Sequence, residues 1–276
     1  MSLGAGPDKP RVSLRRPSAS RIALNATLFI MVAVTVLGFL VLDTKGLKTG
    51  PATLKLLSDL VKMFSRPGSI HFSLPEALHA ILVTLGLAFL TTLLGATLAI
   101  IVGPLAAKNL SRPAVANVLK AFVALIRAVP TVLWVLIFAI GAGLGSVAAV
   151  VGMTFHSFAY LLKAYSESFE EVDVEVVEAL KASGANWTQI VCQAVIPSSM
   201  SSLVTWTFIR FEINFANAVA MGAAAGAGGI GYDLFMASGF YFNLGEVGYI
   251  TYLLLLAAIL LEIGAMRLKA RQHVQR

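Results

Sequence analysis

Polar side chains interrupt an apolar stretch in the last third of the sequence. Thr207, Arg210, Asn214 and Asn217 recur at three- and four-residue spacing, so on a helix they share one face. A guanidinium beside amides suits a tetrahedral oxyanion, because it donates bidentate hydrogen bonds to phosphate-like groups. Glu212 is two residues from Arg210, so on a helix the two point in nearly opposite directions. We predict that this face and Glu212 line a passage. The alternative is that Arg210 and Glu212 each pair with another helix for structure only.

Other ionisable side chains lie within or beside apolar runs. His156 is a candidate for the same passage, although a single histidine in such a run is more often a hydrogen-bonded interior residue. Arg127 and Lys163 lie near the ends of apolar runs, where long side chains can reach the headgroups. Ionisable groups at membrane depth cost at least about 2.5 kcal/mol on insertion scales, so they usually face a bundle interior or a cavity.

A glycine-rich loop follows the polar stretch. Gly226, Gly228, Gly229 and Gly231 come in quick succession, which predicts that residues 222–242 are not helical throughout. Irregular backbone at membrane depth is tolerated only against protein or water. We therefore predict that this loop approaches a symmetry mate closely or bends as a gate. A phosphate-binding P-loop is excluded, because no Lys-Ser/Thr pair follows the glycines.

The composition places these residues in a membrane protein. Of the 276 residues, 58% are hydrophobic and 13% are charged, whereas a soluble domain carries about 25% charged residues. The net charge of +7 comes from small basic groups beside apolar runs, which is typical of membrane-span flanks and does not favour nucleic-acid binding. We find no catalytic triad, no metal-ligand spacing and no ATP site, so we predict that this chain is not an enzyme.

Uncharged runs predict an all-α membrane protein with six spans. A basic cytoplasmic tail over 1–21 precedes one transmembrane domain over 22–276, and an even number of spans leaves both termini in the cytoplasm. Gly141–Ser146 predicts a tight external turn, and Pro130 predicts a kink in the third span. The predicted spans are about 22–42, 81–104, 121–141, 146–166, 197–221 and 247–266.

The segment over about 169–196, between the fourth and fifth spans, carries a recognisable pattern. Glu178-Ala179-Leu180 is followed by Gly184 and then by Ile196-Pro197. This pattern resembles the EAA loop of bacterial ABC importer permeases, which is Glu-Ala-Ala, three residues, Gly, nine residues, Ile, any residue, Leu-Pro. Leu180, Ala194 and Ile196 depart from that pattern but remain apolar. The resemblance implies a short cytoplasmic helix that couples to an ATPase; the alternative is a helical connecting loop.

Two further motifs narrow the resemblance. Arg210-Phe211-Glu212-Ile213-Asn214 and the Gly226–Gly231 loop resemble the permease subunit of phosphonate and phosphite importers. One departure is Ala216, where that subfamily commonly has Arg. The missing cation leaves open a different or less charged oxyanion.

The resemblance implies the fold, the partners and the location. The expected fold is the type I, MetI-like permease with six transmembrane helices and a cytoplasmic EAA coupling helix. The expected partners are an ATPase subunit dimer that binds ATP and Mg²⁺, a periplasmic or lipid-anchored substrate-binding protein, and a second copy of this chain. No cofactor is expected in this chain, and the expected location is the bacterial inner membrane. The alternatives are an ABC permease for another small solute and an ion-coupled secondary carrier.

Overall fold

The computed structural model describes residues 19–42, 46 and 48–274. The predicted basic tail lies outside the described residues, apart from its last three, which begin the first helix. The helices are α1 (Ala19–Val41), α2 (Thr49–Ser65), α3 (Leu74–Ala106), α4 (Pro113–Ala128), α5 (Thr131–Ala142), α6 (Ser146–Glu170), α7 (Val174–Ala182), α8 (Trp187–Ile190), a π-helical turn (Val191–Val195), α9 (Ile196–Ala225), α10 (Ile230–Gly239) and α11 (Leu244–Val274).

The chain divides into two compact units, residues 1–55 and residues 56–276. The described part of the first unit holds α1 and the start of α2. None of the residues of α1 is buried within the chain, and this mostly apolar helix of 23 residues is long enough to cross a bilayer. The single membrane domain over 22–276 stays a prediction.

Helix length and composition support between four and six spans among the described residues. Four helices are long and apolar enough singly: α1, α3, α6 and the Leu244–Arg267 part of α11. Two bent pairs pass the same criterion together: α4 with α5 at 90°, and Trp187–Ala225 with α10 at 50°. Each predicted apolar run therefore falls on helix, while the count of six stays a prediction.

The third predicted span, 121–141, is not one helix. The chain breaks at Val129 and Pro130, and α4 and α5 meet at 90°. Proline has no amide hydrogen and disfavours helical backbone at the residue before it, and Val129 is accordingly extended. The break frees carbonyl groups, and the Ile126 oxygen accepts hydrogen bonds from the Val129 amide at 3.3 Å and from Trp134 Nε1 at 2.9 Å. The kink was predicted; its size was not.

Small residues bring α3, α5 and α6 close together in the second unit. A Cβ added at Gly95 of α3 would lie 2.8 Å from Ser157 Cβ, and one at Gly152 of α6 would lie 2.6 Å from Val135 Cα. Small residues allow such close approach where helices have no hydrophobic drive to associate in lipid. The approach places the middle of α6 directly against α3.

The segment between α2 and α3 is held against the start of α11. Glu246, fully buried, accepts hydrogen bonds at 2.7 Å from the backbone amides of Ile70 and His71. His71 Nδ1 lies 3.0 Å from both carboxylate oxygens, and its ring stacks on Tyr241 at 3.8 Å. Nearby, Gly248 makes room for the carbonyl group of Met63. Apolar runs do not reveal this contact, because it joins residues far apart in the sequence.

Candidate functional site

Arg210 lies at the centre of the second unit with 1% of its surface exposed. Its Nε donates a hydrogen bond to Ser157 Oγ at 3.0 Å, and Nη2 lies 3.0 Å from His156 Nδ1. Its guanidinium carbon is 5.1 Å from the ring centre of Tyr160. These partners are all on α6 and none is a carboxylate, so the positive charge is held by neutral and aromatic groups.

Asn214 extends the same network from α9 to α3. Its Nδ2 donates to Thr92 Oγ1 and to Ser157 Oγ, both at 2.8 Å. Ser157 Oγ in turn donates to the Met153 carbonyl oxygen at 2.6 Å. Asn214 is fully buried. Because buried polar groups are costly unless paired, this network specifies how the three helices pack.

The predicted face of α9 exists, and most of it points into the helix bundle. Thr207 Oγ1 lies 2.5 Å from the Tyr165 hydroxyl of α6, so Thr207, Arg210 and Asn214 all contact that helix or α3. Asn217 and Glu212 are half-buried. The structure brings His156 to Arg210, as a hydrogen-bonded interior histidine that also contacts Thr131 at 3.2 Å. The passage-lining role of these residues stays a prediction.

Sequence reasoning missed the residues that complete this network. Ser157 and Thr92 accept hydrogen bonds from Arg210 and Asn214, and Tyr160 lies beside the guanidinium group. None of the three was predicted. A signal was present, because Thr91, Thr92, Ser157 and Tyr160 interrupt the second and fourth apolar runs. One sequence alone does not tell which helix faces which.

The segment between α6 and α9 forms a short helix on the surface. Asp173 caps α7 by accepting a hydrogen bond from the Glu175 amide at 3.0 Å. Val177 is buried and Leu180 is packed against the main core, while Glu178 and Ala179 are exposed. Val177 and Leu180 thus anchor the helix, while Glu178 and Ala179 of the motif face away from the core.

Glycine and proline shape the end of this segment. Gly184 has φ +85°, a conformation that side chains disfavour, and it ends the turn after α7. Ile196 and Pro197 begin α9 directly after the π-helical turn, so the backbone is already helical where the proline enters it. The predicted free helix start at Pro197 is therefore wrong, because α8 and the π-helical turn precede it without a break.

The glycine-rich loop folds back on its own chain. Gly226, Gly228 and Gly229 have φ values of +63°, +81° and +71°. The Ile230 amide donates to Thr84 Oγ1 of α3 at 3.1 Å. A Cβ at Gly231 would lie 1.9 Å from the Val219 carbonyl oxygen of α9. Glycine is required here by contacts within the chain; the gate and the contact with a symmetry mate stay predictions.

This arrangement of helices and motifs matches known proteins. The family model for the inner membrane component of binding-protein-dependent transport systems matches residues 99–272. The chain belongs to this family. The matched residues contain α7, Arg210 with its partners on α6, and the glycine-rich loop of this permease.

Curated relatives carry related names. The permease is 30% identical over 191 residues to the phosphite transport system permease protein PtxC of Stutzerimonas stutzeri, covering 69% of this chain and 68% of that one. It is 34% identical over 143 residues to the phosphate-import permease protein PhnE of Mycolicibacterium smegmatis, covering 51% of this chain but only 27% of that protein. It is 31% identical over 121 residues to the putative cryptic phosphonate transport system permease protein PhnE2 of Escherichia coli K12, covering 44% of this chain and 97% of that protein. The predicted resemblance to phosphonate- and phosphite-type permeases is confirmed.

Solved structures confirm the fold. The inward-facing MetNI methionine ABC transporter matches with a TM-score of 0.64 at 22% identity, covering 72% of this chain and 99% of that one. An amino acid ABC transporter with histidines matches with a TM-score of 0.57 at 14% identity, covering 79% of this chain and 97% of that one. At these identities the likeness concerns the fold, which is the predicted all-helical, MetI-like permease fold.

Proposed function

We propose that this chain is the permease subunit of an ATP-driven importer and forms the passage for a phosphonate, phosphite or related phosphorus oxyanion. The observation that carries the proposal is the buried Arg210, whose contacts among the described residues are neutral and aromatic groups of α6. A buried cation beside neutral groups is energetically costly among apolar helices. We assign it the role of attracting an anion that crosses the bundle. The phosphite permease of S. stutzeri, alike over 69% of this chain, supports this substrate class.

The partners follow from the same proposal. Two copies of this chain would form the passage, each bound to one subunit of an ATPase dimer that carries ATP and Mg²⁺. A periplasmic or lipid-anchored binding protein would deliver the substrate. Native mass spectrometry of the purified complex is expected to give two copies of this chain with two ATPase subunits, and a single copy would contradict the dimer.

The substrate is tested by reconstitution. The complex is placed in liposomes with its cognate binding protein, identified by genetic neighbourhood, and uptake of phosphite, methylphosphonate, phosphate and methionine is compared. Uptake of at least one phosphorus oxyanion and not of methionine is expected. Preference for methionine would favour an ABC permease for another solute. Uptake without any ATPase would favour an ion-coupled carrier.

We further propose that α7 couples the permease to the ATPase. Glu178 and Ala179 are exposed on a helix that Val177 and Leu180 hold against the bundle, so a push on the helix reaches the core. Glu178→Lys is expected to leave the fold intact but to abolish stimulation of ATP hydrolysis by the loaded binding protein. Glu171→Lys, the same charge reversal on an exposed residue outside α7, is the control. Equal stimulation in both variants would contradict the proposal.

The topology we propose has six spans, both termini in the cytoplasm, and the segment over 169–196 also in the cytoplasm of a bacterium. After Cys192→Ser removes the chain's one cysteine, Lys181→Cys reports on the coupling segment and Ser146→Cys on the turn before α6. A thiol reagent that does not cross membranes is expected to label residue 146 from outside and residue 181 only after lysis. Labelling of residue 181 in intact cells would overturn this topology.

A further inference from the structure

A polar stripe runs along α6 from the middle of the bundle toward its C-terminal end. His156, Tyr160, Lys163 and Glu167 follow one another at spacings of four, three and four residues, so they share one face. The stripe extends over about 16 Å at about 1.5 Å per residue. Its exposure rises along the helix, from half-buried at His156 and Tyr160 to 47% and 52% for the side chains of Lys163 and Glu167.

Helix α4 brings further cations to the same stripe. Lys120 and Arg127 of α4 line a cavity of about 150 Å³ together with Lys163 and Glu167 of α6. Lys120 Nζ lies 2.7 Å from Glu170 Oε1, and Lys163 Nζ lies 3.6 Å from Glu167 Oε1. Arg127, which is exposed, rests over the Tyr160 ring at 5.6 Å.

The charges in this cavity do not balance. Lys120 and Lys163 each have a carboxylate partner, whereas the described contact of Arg127 is the face of Tyr160. Arg210 approaches the same ring at 5.1 Å, so two guanidinium groups stand beside one tyrosine. The excess charge is therefore positive, from the cavity to the centre of the bundle.

The acyl chains of lipids cannot cover this stripe. Charged side chains within membrane-spanning helices face a bundle interior or a water-filled cavity, because hydrocarbon does not solvate them. Arg127, Lys163 and Glu167 are exposed in the single chain, so they face headgroups, water or a second copy. By contrast, Arg210 and Asn214 on α9 are already covered by α6 and α3.

We propose that this cavity is an anion site on the half of the passage nearer the C-terminal end of α6, in which Arg127 and Lys163 bind the phosphorus oxyanion. The inference rests on the proposed function and adds a site to it. The guanidinium fork of Arg127 matches two oxygens of a tetrahedral anion, and the ammonium of Lys163 adds a point charge.

The rest of the cavity favours weak, reversible binding of the anion. The exposed pair of Lys163 and Glu167 is weak, so an arriving anion can take the place of the carboxylate on Lys163. Tyr160 keeps the anion apart from Arg210, whose charge attracts it without binding it. The cavity has room for several waters and so for a tetrahedral oxyanion. A site of this kind holds an anion briefly and releases it.

Transport of phosphite by the reconstituted complex gives the first test. Arg127→Gln is expected to lower uptake by about tenfold or more, which corresponds to about 1.4 kcal/mol. Arg127→Lys keeps the charge but loses the fork, and an intermediate rate is expected. Arg112→Gln is the matched control, because Arg112 is exposed at the start of the same helix and does not line the cavity. Uptake by Arg127→Gln within twofold of the control would overturn the site.

Thiol labelling gives a second test that does not depend on transport. With Cys192→Ser and Ala124→Cys, the thiol stands on an exposed residue that lines the cavity and both cations are kept. An anionic methanethiosulfonate is expected to react faster than its cationic counterpart, and phosphite is expected to slow the reaction. Adding Arg127→Gln should reduce both the preference for the anionic reagent and the protection by phosphite. No reaction, or no preference for the anionic reagent, would overturn the site. Wild-type complex that takes up no phosphorus oxyanion but shows both labelling effects would contradict only the proposed function.

Discussion

The charge of Arg210 can be removed with little change in packing, and Arg210→Met does so. Methionine fills much of the same volume. Ser157 Oγ keeps its bonds to Met153 and Asn214, and His156 Nδ1 keeps Thr131 within 3.2 Å. Each lost hydrogen bond contributes about 0.5–1.5 kcal/mol net, or up to about 3 kcal/mol with a charged donor. Replacing a buried charge by an apolar side chain offsets that loss. We therefore expect a thermal unfolding midpoint within a few degrees of wild type.

Transport is expected to change much more than stability. At an effective dielectric constant of about 20, a unit charge about 10 Å from a monovalent anion stabilises it by about 1.7 kcal/mol, or about 15- to 20-fold. Arg210→Met should lower phosphite uptake by about that factor in the reconstituted complex. Arg210→Lys keeps the charge but cannot donate to Ser157 and His156 with the same fork, so a smaller loss is expected.

Two controls decide how this result is read. Size-exclusion chromatography and thermal unfolding show whether the complex assembles, and uptake is compared at equal amounts of complex. If Arg210→Met assembles and transports at the wild-type rate, the charge is not needed for transport. The reasoning is then refuted, and Arg210 serves only the packing of α9 on α6.

Two other predictions concern packing and are read from the unfolding midpoint. Gly231→Ala places a Cβ 1.9 Å from the Val219 carbonyl oxygen and should lower the free energy of unfolding by about 1–3 kcal/mol. Each kcal/mol corresponds to about 2–4 °C in the midpoint. The control is Gly239→Ala on the same helix, whose Cβ meets nothing closer than 3.8 Å and should not lower the midpoint. Equal midpoints would contradict the close packing of α10 on α9. Glu246→Gln replaces the carboxylate that accepts hydrogen bonds from the Ile70 and His71 amides by a neutral amide. This change should lower the midpoint by several degrees. An unchanged midpoint would show that this contact contributes little.

Local signals in the sequence predicted the parts of the fold that depend on neighbouring residues. Apolar runs located the helices, and the glycines of 141–146 located the turn between α5 and α6, because both signals act within a few residues. Proline 130 predicted a kink, since it removes a hydrogen bond wherever it stands. Its local chemistry does not set the angle, which depends on how α5 packs against α6.

The site depended on contacts that spacing cannot give. The shared face of Thr207, Arg210 and Asn214 follows from helical periodicity and was predicted. The orientation of this face toward α6 and α3 depends on Ser157 and Thr92, which lie on other helices.

Helix α2 was missed because Lys55, Asp59 and Lys62 make its sequence unlike a membrane span.

The contact between Glu246 and the Ile70 amide also sets an order of events during biosynthesis. Its two residues are 176 positions apart. At about 5–20 residues per second, roughly 10–35 s separate their synthesis. Throughout that time the amides of Ile70 and His71 have no carboxylate to bind, so the nascent segment must keep them hydrated. The ribosome has to deliver the start of α11 before this end of the bundle can close.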